Sequence, residues 1–74
     1  MLKRGMVISI DHKSNTGIIR EGGKRDYFFT VEDCQNLKIP ELYSSVSFYK
    51  DDDYKFTNVA ILIQTESENV KRFA

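Results

Sequence analysis

Several residue types that mark a particular class of protein are scarce in this 74-residue chain. A single cysteine, Cys34, excludes an internal disulfide and fits a reducing compartment, so we expect a cytoplasmic protein. No apolar run approaches the roughly 20 residues that cross a bilayer. Residues 1–5 lead into a strand-like run rather than the apolar core of a signal peptide. We therefore expect neither secretion nor a membrane partner.

A net charge is also lacking, because eleven basic and eleven acidic side chains cancel. Such a balance is unlike that of an avid, unspecific polyanion binder. The charges are nonetheless unevenly placed. Residues 1–31 carry six basic and three acidic side chains, whereas residues 32–53 carry two and six. The basic N-terminal part modestly favours an anionic ligand.

The sequence also lacks combinations of residues that are typical of a catalytic or metal-binding site. Cys34 and His12 are far apart in sequence, which leaves the only thiol without a nearby base. Asp51, Asp52 and Asp53 are adjacent, whereas a calcium loop spaces its ligands at alternating positions. They indicate a solvated turn. We expect no enzymatic activity and no cofactor.

The clearest positive signal is a β-hairpin over residues 15–31. Its arms are rich in β-branched and aromatic residues, and a Gly-Gly pair supplies the positive φ of a tight turn. Because side chains alternate along a strand, Tyr27 and Phe29 share one face and Phe28 lies on the other. An inward aromatic pair suits a core. An outward phenylalanine flanked by basic side chains suits a base-stacking platform.

The remaining segments complete an all-β architecture. Residues 5–10 and 45–50 are predicted strands, and Thr30 with Asp33 three positions on predicts a capped helical turn. Residues 54–64 form the fifth predicted strand. Its expected inner side chains are Phe56, Val59, Ile61 and Ile63.

Residues 34–45 form a predicted loop, because Pro40 interrupts any helix or central strand. The side chains expected to hold it to the core are Leu37, Ile39, Leu42 and Tyr43. Residues 66–74 are a polar tail, from which Val70 and Phe73 are candidates to dock back. Five short strands without a long helix predict one domain over residues 1–65, a small five-stranded antiparallel Greek-key barrel that hides its sheet edges.

Five segments, in this order and over about residues 5–63, resemble the cold-shock domain, an oligonucleotide-binding (OB) barrel. The matching segments are Gly5-Met6-Val7-Ile8-Ser9-Ile10-Asp11, Ser14-Asn15-Thr16-Gly17-Ile18-Ile19, Asp26-Tyr27-Phe28-Phe29-Thr30, Tyr43-Ser44-Ser45-Val46-Ser47-Phe48 and Phe56-Thr57-Asn58-Val59. Positions that build the family's barrel keep their residue type. These are Gly17, Ile19, Phe29, Val46, Phe48 and Val59.

The resemblance also implies a nucleic-acid-binding face, on which most of the family's residues are replaced. Phe28 alone keeps an aromatic at a stacking position. The family's other stacking aromatics correspond to Ser9, Ile10, Thr16 and Ile18, its histidine to Thr30, and its strand-one lysine to Ile8. The cations near this face that can contact phosphates are Lys3, Arg4, Lys13, Arg20, Lys24 and Arg25.

Two functions follow from this partial match. The first is weak, sequence-tolerant binding of single-stranded RNA or DNA, with a base stacked on Phe28. The second is an interaction module that has lost nucleic-acid binding and uses its altered face for a protein partner or a homodimer. The apolar patch expected in that case consists of Ile8, Ile10, Ile18 and Phe28.

Overall fold

Five antiparallel strands form a single sheet in the computed structural model, which describes residues 1–23 and 25–66. In chain order they are β1 (Lys3–Asp11), β2 (Thr16–Glu21), β3 (Arg25–Thr30), β4 (Ser45–Lys50) and β5 (Ala60–Thr65). Short 3₁₀ turns at Val31–Asp33 and Gln35–Leu37 follow β3. The strands lie in the order β3-β2-β1-β4-β5. The predicted all-β class is confirmed.

The sheet curls into a half-barrel, and its two outermost strands approach each other. The amide of Phe28 in β3 donates a hydrogen bond of 2.9 Å to the carbonyl of Asn58, just before β5. Parallel bridges join Phe28 to Val59 and Cys34 to Ile63. These contacts pair some of the backbone N–H and C=O groups on the two edge strands, which would otherwise be open to pairing with another chain. The result is consistent with a small OB-like barrel. Within the described residues, no helix is long and apolar enough to cross a membrane.

The predicted hairpin is confirmed in its pairing. β2 and β3 are in register, with Ile18 opposite Phe28. The turn glycines Gly22 and Gly23 have φ of 60° and 74°, in the left-handed region that favours glycine. Gly17 is also required, because an added Cβ would lie 2.5 Å from the Phe29 ring.

The core lies inside the curl and is built from alternating side chains of every strand. Tyr27 and Phe29 are fully buried as predicted, and Tyr27 packs edge-on against Phe48 with ring centroids 5.0 Å apart. The Tyr27 hydroxyl donates to the Glu21 carboxylate at 3.0 Å, which satisfies its polar end. The buried residues are Val7, Ile19, Tyr27, Phe29, Cys34, Val46, Phe48, Ala60 and Ile63.

The fifth strand begins later than predicted, and this part of the prediction is wrong. Residues 51–59 form a loop, because the Asp51 amide donates to the Val59 carbonyl at 2.8 Å and Lys50 pairs directly with Ala60. Phe56, expected inside, is almost fully exposed, and Val59 is only half-buried. The loop closes over a tight turn, in which the Tyr54 amide donates to the Asp51 carbonyl at 3.2 Å.

A bulge also changes which side chains of β5 face inward. Between the pairs Ser47–Gln64 and Tyr49–Ile61, β5 holds one residue more than β4. The extra residue shifts the alternation, so Leu62 is exposed with a φ of 53°. Ala60 and Ile63 are therefore buried, whereas Ile61 is only half-buried.

The loop over residues 34–45 is held mainly by its backbone rather than by the side chains predicted to anchor it. Of those four side chains only Ile39 packs against the core, while the others are exposed. Tyr43 donates its amide to the Val7 carbonyl at 2.7 Å, and Val7 donates to the Ser44 carbonyl at 3.0 Å. Pro40 is buried. The exposed members are Leu37, Leu42 and Tyr43.

The predicted capped turn after β3 is present as the first 3₁₀ turn. Both the amide and the hydroxyl of Thr30 donate to the Asp33 carboxylate, at 3.0 and 3.2 Å. Cys34 follows as a buried residue, and burial raises the pKa of its thiol to about 11, with a further contribution from the Asp33 charge. The thiol is therefore protonated near neutral pH. The predictions for Val70 and Phe73 lie outside the described residues.

Candidate nucleic-acid interface

The outer face of β1, β2 and β3 is organised as three rows of side chains that run across the strands. The central row contains the residue that the sequence singled out, Phe28. The rows, defined by strand register, are Met6–Arg20–Asp26, Ser9–Ile18–Phe28 and Asp11–Thr16–Thr30. The sequence-predicted positions Ser9, Thr16, Ile18, Phe28 and Thr30 therefore lie together on one face.

A bulge in β1 places Ser9 on this face. Val7 pairs with Ile19 and Ser9 pairs with Ile18, so Ile8 is an extra residue in β1. Because of this extra residue, Val7 points into the core and Ser9 points out, although two positions separate them. Without the bulge the alternation would turn Ser9 inward.

Phe28 is a firmly placed platform. The residue is 48% exposed, while its chain neighbours Tyr27 and Phe29 are fully buried. Its amide is held by the Asn58 carbonyl. A ring on a backbone fixed in this way loses little further freedom when a base stacks on it. Ile18 beside it is half-buried, and Ser9 is exposed.

The cations expected to hold phosphates are placed less favourably. The Arg20 guanidinium donates two hydrogen bonds to the Asp26 carboxylate, at 2.8 and 3.2 Å. The bond from Arg20 lowers the pKa of Asp26, and Asp26 in turn raises the pKa of Arg20. The charge of Arg20 is thus neutralised on the face itself.

The other predicted cations lie at the margins or are paired. Lys3 lies 3.7 Å from the Glu21 carboxylate, and Arg4 lies 3.1 Å from that of Glu66. Lys13 is exposed just beyond the C-terminal end of β1, and Arg25 is exposed at the start of β3. Lys24 lies outside the described residues. The structure therefore brings the predicted stacking positions together but spreads the predicted cations.

A groove beside Phe28 was not anticipated from the sequence. It has a volume of about 520 Å³ and lies between β3, the first 3₁₀ turn and the loop over residues 51–59. Its aromatic lining residues are Phe28 and Tyr54, and Val59 is an aliphatic lining residue. Its carboxylates are Glu32, Asp33 and Asp51. We call this feature the acidic groove.

The sequence does not place Tyr54 at the site, because residues 54–64 are predicted as one strand with Tyr54 inside the sheet. The three aspartates before it contained the missing signal. A run of turn-forming residues followed by further polar positions is typical of a long loop, and such a loop carries its aromatics to the surface. Among the described residues no cluster of these acids is arranged to hold a metal ion.

The apolar patch predicted for a protein partner is smaller than expected. Ile10 packs against the core and does not belong to it, which corrects the prediction. Ile8 is half-buried and lines a separate shallow groove with Met6 and Arg20. What remains of the predicted patch on the central row is Ile18 and Phe28.

Comparison of the chain with models of known protein families gave no match, and comparison with curated proteins gave none. The resemblance to the cold-shock domain therefore stays a prediction that rests on the five matching segments.

Proposed function

We propose that the outer face of β1–β3 binds single-stranded RNA or DNA weakly and with little sequence preference. The observation that carries this proposal is the position of Phe28. It is a half-exposed residue on a fixed backbone, at the β3 end of a central row that holds no charge. Aromatic rings stack on any base, so such a platform tolerates sequence.

The affinity is expected to be low because there is one platform. Each stacked base contributes about 1–3 kcal/mol by alanine substitution. Thr16, Ile18 and Thr30 provide apolar or hydroxyl contacts in the remaining positions but no second ring. Lys13 and Arg25 lie at the two margins of the face and supply salt-sensitive phosphate contacts.

The test is a fluorescence titration of a labelled thymidine or uridine oligonucleotide at about 50 mM and about 200 mM salt. Phe28→Leu removes the planar ring but keeps an apolar side chain, so it separates stacking from packing. We expect a loss of about fivefold or more, the lower end of the range for one stacked base. Tyr43→Ala is the matched control, because Tyr43 is 66% exposed and lines neither groove. Equal losses in the two variants would contradict the proposal.

A second candidate, a module for a protein partner or a homodimer, is favoured by the Arg20–Asp26 pair. That pair neutralises the row next to Phe28 and leaves a surface with no particular attraction for a polyanion. Analytical sedimentation distinguishes the two functions. A chain that binds no oligonucleotide at low salt and sediments as a dimer supports the second.

A further inference from the structure

The acidic groove is continuous with the proposed stacking platform, because Phe28 borders both. Its other aromatic lining residue is Tyr54, which is 52% exposed. A volume of about 520 Å³ is within the range of pockets that enclose small ligands. Two half-exposed aromatic residues that line one pocket suit a flat ligand that stacks on one or both of their rings.

The polar side chains that line the groove are three carboxylates and the hydroxyls of Thr30, Tyr54 and Thr57. Carboxylates accept and do not donate at neutral pH, and among the described residues no lysine or arginine lines the groove. Asp33 already accepts from Thr30, and Asp51 accepts from the Asp53 amide at 3.0 Å. Glu32 is exposed, and within residues 1–23 and 25–66 its carboxylate takes part in no hydrogen bond or ion pair. Among the described residues, Glu32 is therefore the groove carboxylate with both oxygens free to meet a ligand, whereas Asp33 and Asp51 each already use one oxygen.

A phosphate is repelled by such a groove, but a base with N–H donors is not. Guanine presents two adjacent donors on its Watson–Crick edge, N1–H and the N2 amino group, which match the two oxygens of one carboxylate. Thymine and uracil present one N–H between two carbonyl oxygens. A carboxylate that accepts from this N–H would have its second oxygen repelled by a neighbouring carbonyl oxygen. Single-stranded nucleic acids are commonly recognised through stacked bases whose Watson–Crick edges are hydrogen-bonded.

We propose that the acidic groove receives one base of a bound single strand between Phe28 and Tyr54, and that it selects guanine through the Glu32 carboxylate. This inference rests on the proposed function. The phosphates stay on the outer face of β1–β3, whose margins carry Lys13 and Arg25, while the base turns into the groove.

The proposal predicts two effects of opposite sign for one substitution. Glu32→Gln removes a negative charge, so binding of an all-thymidine strand should tighten slightly. The same change replaces one of the two acceptor oxygens of Glu32 with an amide NH₂ group, so the preference for guanine over thymine should largely disappear. A residue with a purely structural role would not move the two quantities in opposite directions.

The experiment uses the full chain and a short thymidine strand in which one central position is guanine, inosine, adenine or thymine. We expect guanine to bind about fivefold tighter than thymine, the lower end for a bidentate contact to a base. Inosine lacks the N2 amino group and should fall between them. Adenine has the purine ring without the paired donors, so it controls for ring size and should bind like thymine.

Glu41→Gln is the charge-matched control, since Glu41 is exposed and does not line the groove. It should leave the guanine preference unchanged. Four equal affinities in the wild type, with Phe28→Leu still weakening all of them, would overturn the guanine inference and leave the proposed function standing. No binding of any strand at low salt would overturn both.

Discussion

The two surfaces that meet at Phe28 differ in how their charges are compensated. On the outer face the Asp26 carboxylate is bound by Arg20 through two hydrogen bonds. In the acidic groove three carboxylates line the space, and none of the described lining residues is basic. One aromatic ring thus separates a face that carries, within the described residues, one uncompensated carboxylate, Asp11, from a groove that carries three.

Under the proposed function, this difference would let a chain with no net charge orient a single strand. The groove carboxylates would repel the charged phosphates more strongly than the uncharged bases, so the phosphates would stay on the outer face and a base could enter the groove. Affinity would then depend on the outer face, and selectivity on the groove.

The largest effect is expected from adding rings to the face. Thr16→Phe and Ile18→Phe place two aromatics in the positions where the cold-shock resemblance implies stacking. At about 1–3 kcal/mol for each stacked base, the pair implies roughly 2–6 kcal/mol before losses from imperfect geometry. A severalfold tightening measured by the same titration would support the diagnosis that the face lacks platforms.

A third substitution, Thr30→His, would restore the histidine that the cold-shock resemblance implies at this position, but it is better left out. Thr30 is half-buried and donates from its hydroxyl to Asp33 at 3.2 Å. Loss of a capping side chain costs about 1 kcal/mol of stability. Thermal unfolding of the double variant provides the folding control. A folded double variant that binds no better than wild type would show that the deficit lies in the charges rather than in the rings.

A smaller effect is expected from reversing the charge at the margin of the face. Arg25→Glu removes an exposed cation at the start of β3. If Arg25 contacts one phosphate, the slope of log affinity against log salt should become less steep by about 0.7. Lys38→Glu makes the same change of charge in the loop over residues 34–45, away from the face. An identical change of slope in both variants would mean that only the total charge matters.

The sequence was sufficient to predict the features that depend on local alternation and turn chemistry. The hairpin, its inward Tyr27 and Phe29, its outward Phe28 and the cap at Thr30 all follow from neighbours within a few residues. The fold class followed because short strands without a long helix leave few architectures that cover their edges.

The features that the sequence did not predict depend on pairing between distant segments. The bulges at Ile8 and Leu62 arise where two strands differ by one residue, which neither strand shows alone. The loop over residues 51–59 depends on Lys50 pairing with Ala60 rather than with an earlier residue. Since the groove is formed by that loop, the turn signal of the three aspartates could at most indicate that Tyr54 lies at the surface, and it could not assign Tyr54 to the site.

The smallest expected effect comes from breaking the Arg20–Asp26 ion pair, which frees the Arg20 guanidinium. Asp26→Asn keeps the shape of the side chain but removes its charge, which leaves the Arg20 guanidinium free to meet a phosphate. Exposed ion pairs contribute little to stability, so the fold should be retained. Binding should tighten a few-fold at low salt, and the salt slope should steepen by about 0.7 for one added contact.

The control for this last prediction is Asp26→Asn combined with Arg20→Gln. If Arg20 is the cation released, the gain should vanish in the double variant. A gain that persists there would show that Asp26 acted only by repelling the strand. Acid alone should not mimic the substitution in the wild type near pH 5, because the hydrogen bond from Arg20 lowers the pKa of Asp26. The stability that this pair adds is likewise present above the ordinary carboxyl pKa and is lost only as the pH falls through the lowered one. A titration of affinity against pH therefore tests whether Arg20 stays bound to Asp26 under mildly acidic conditions.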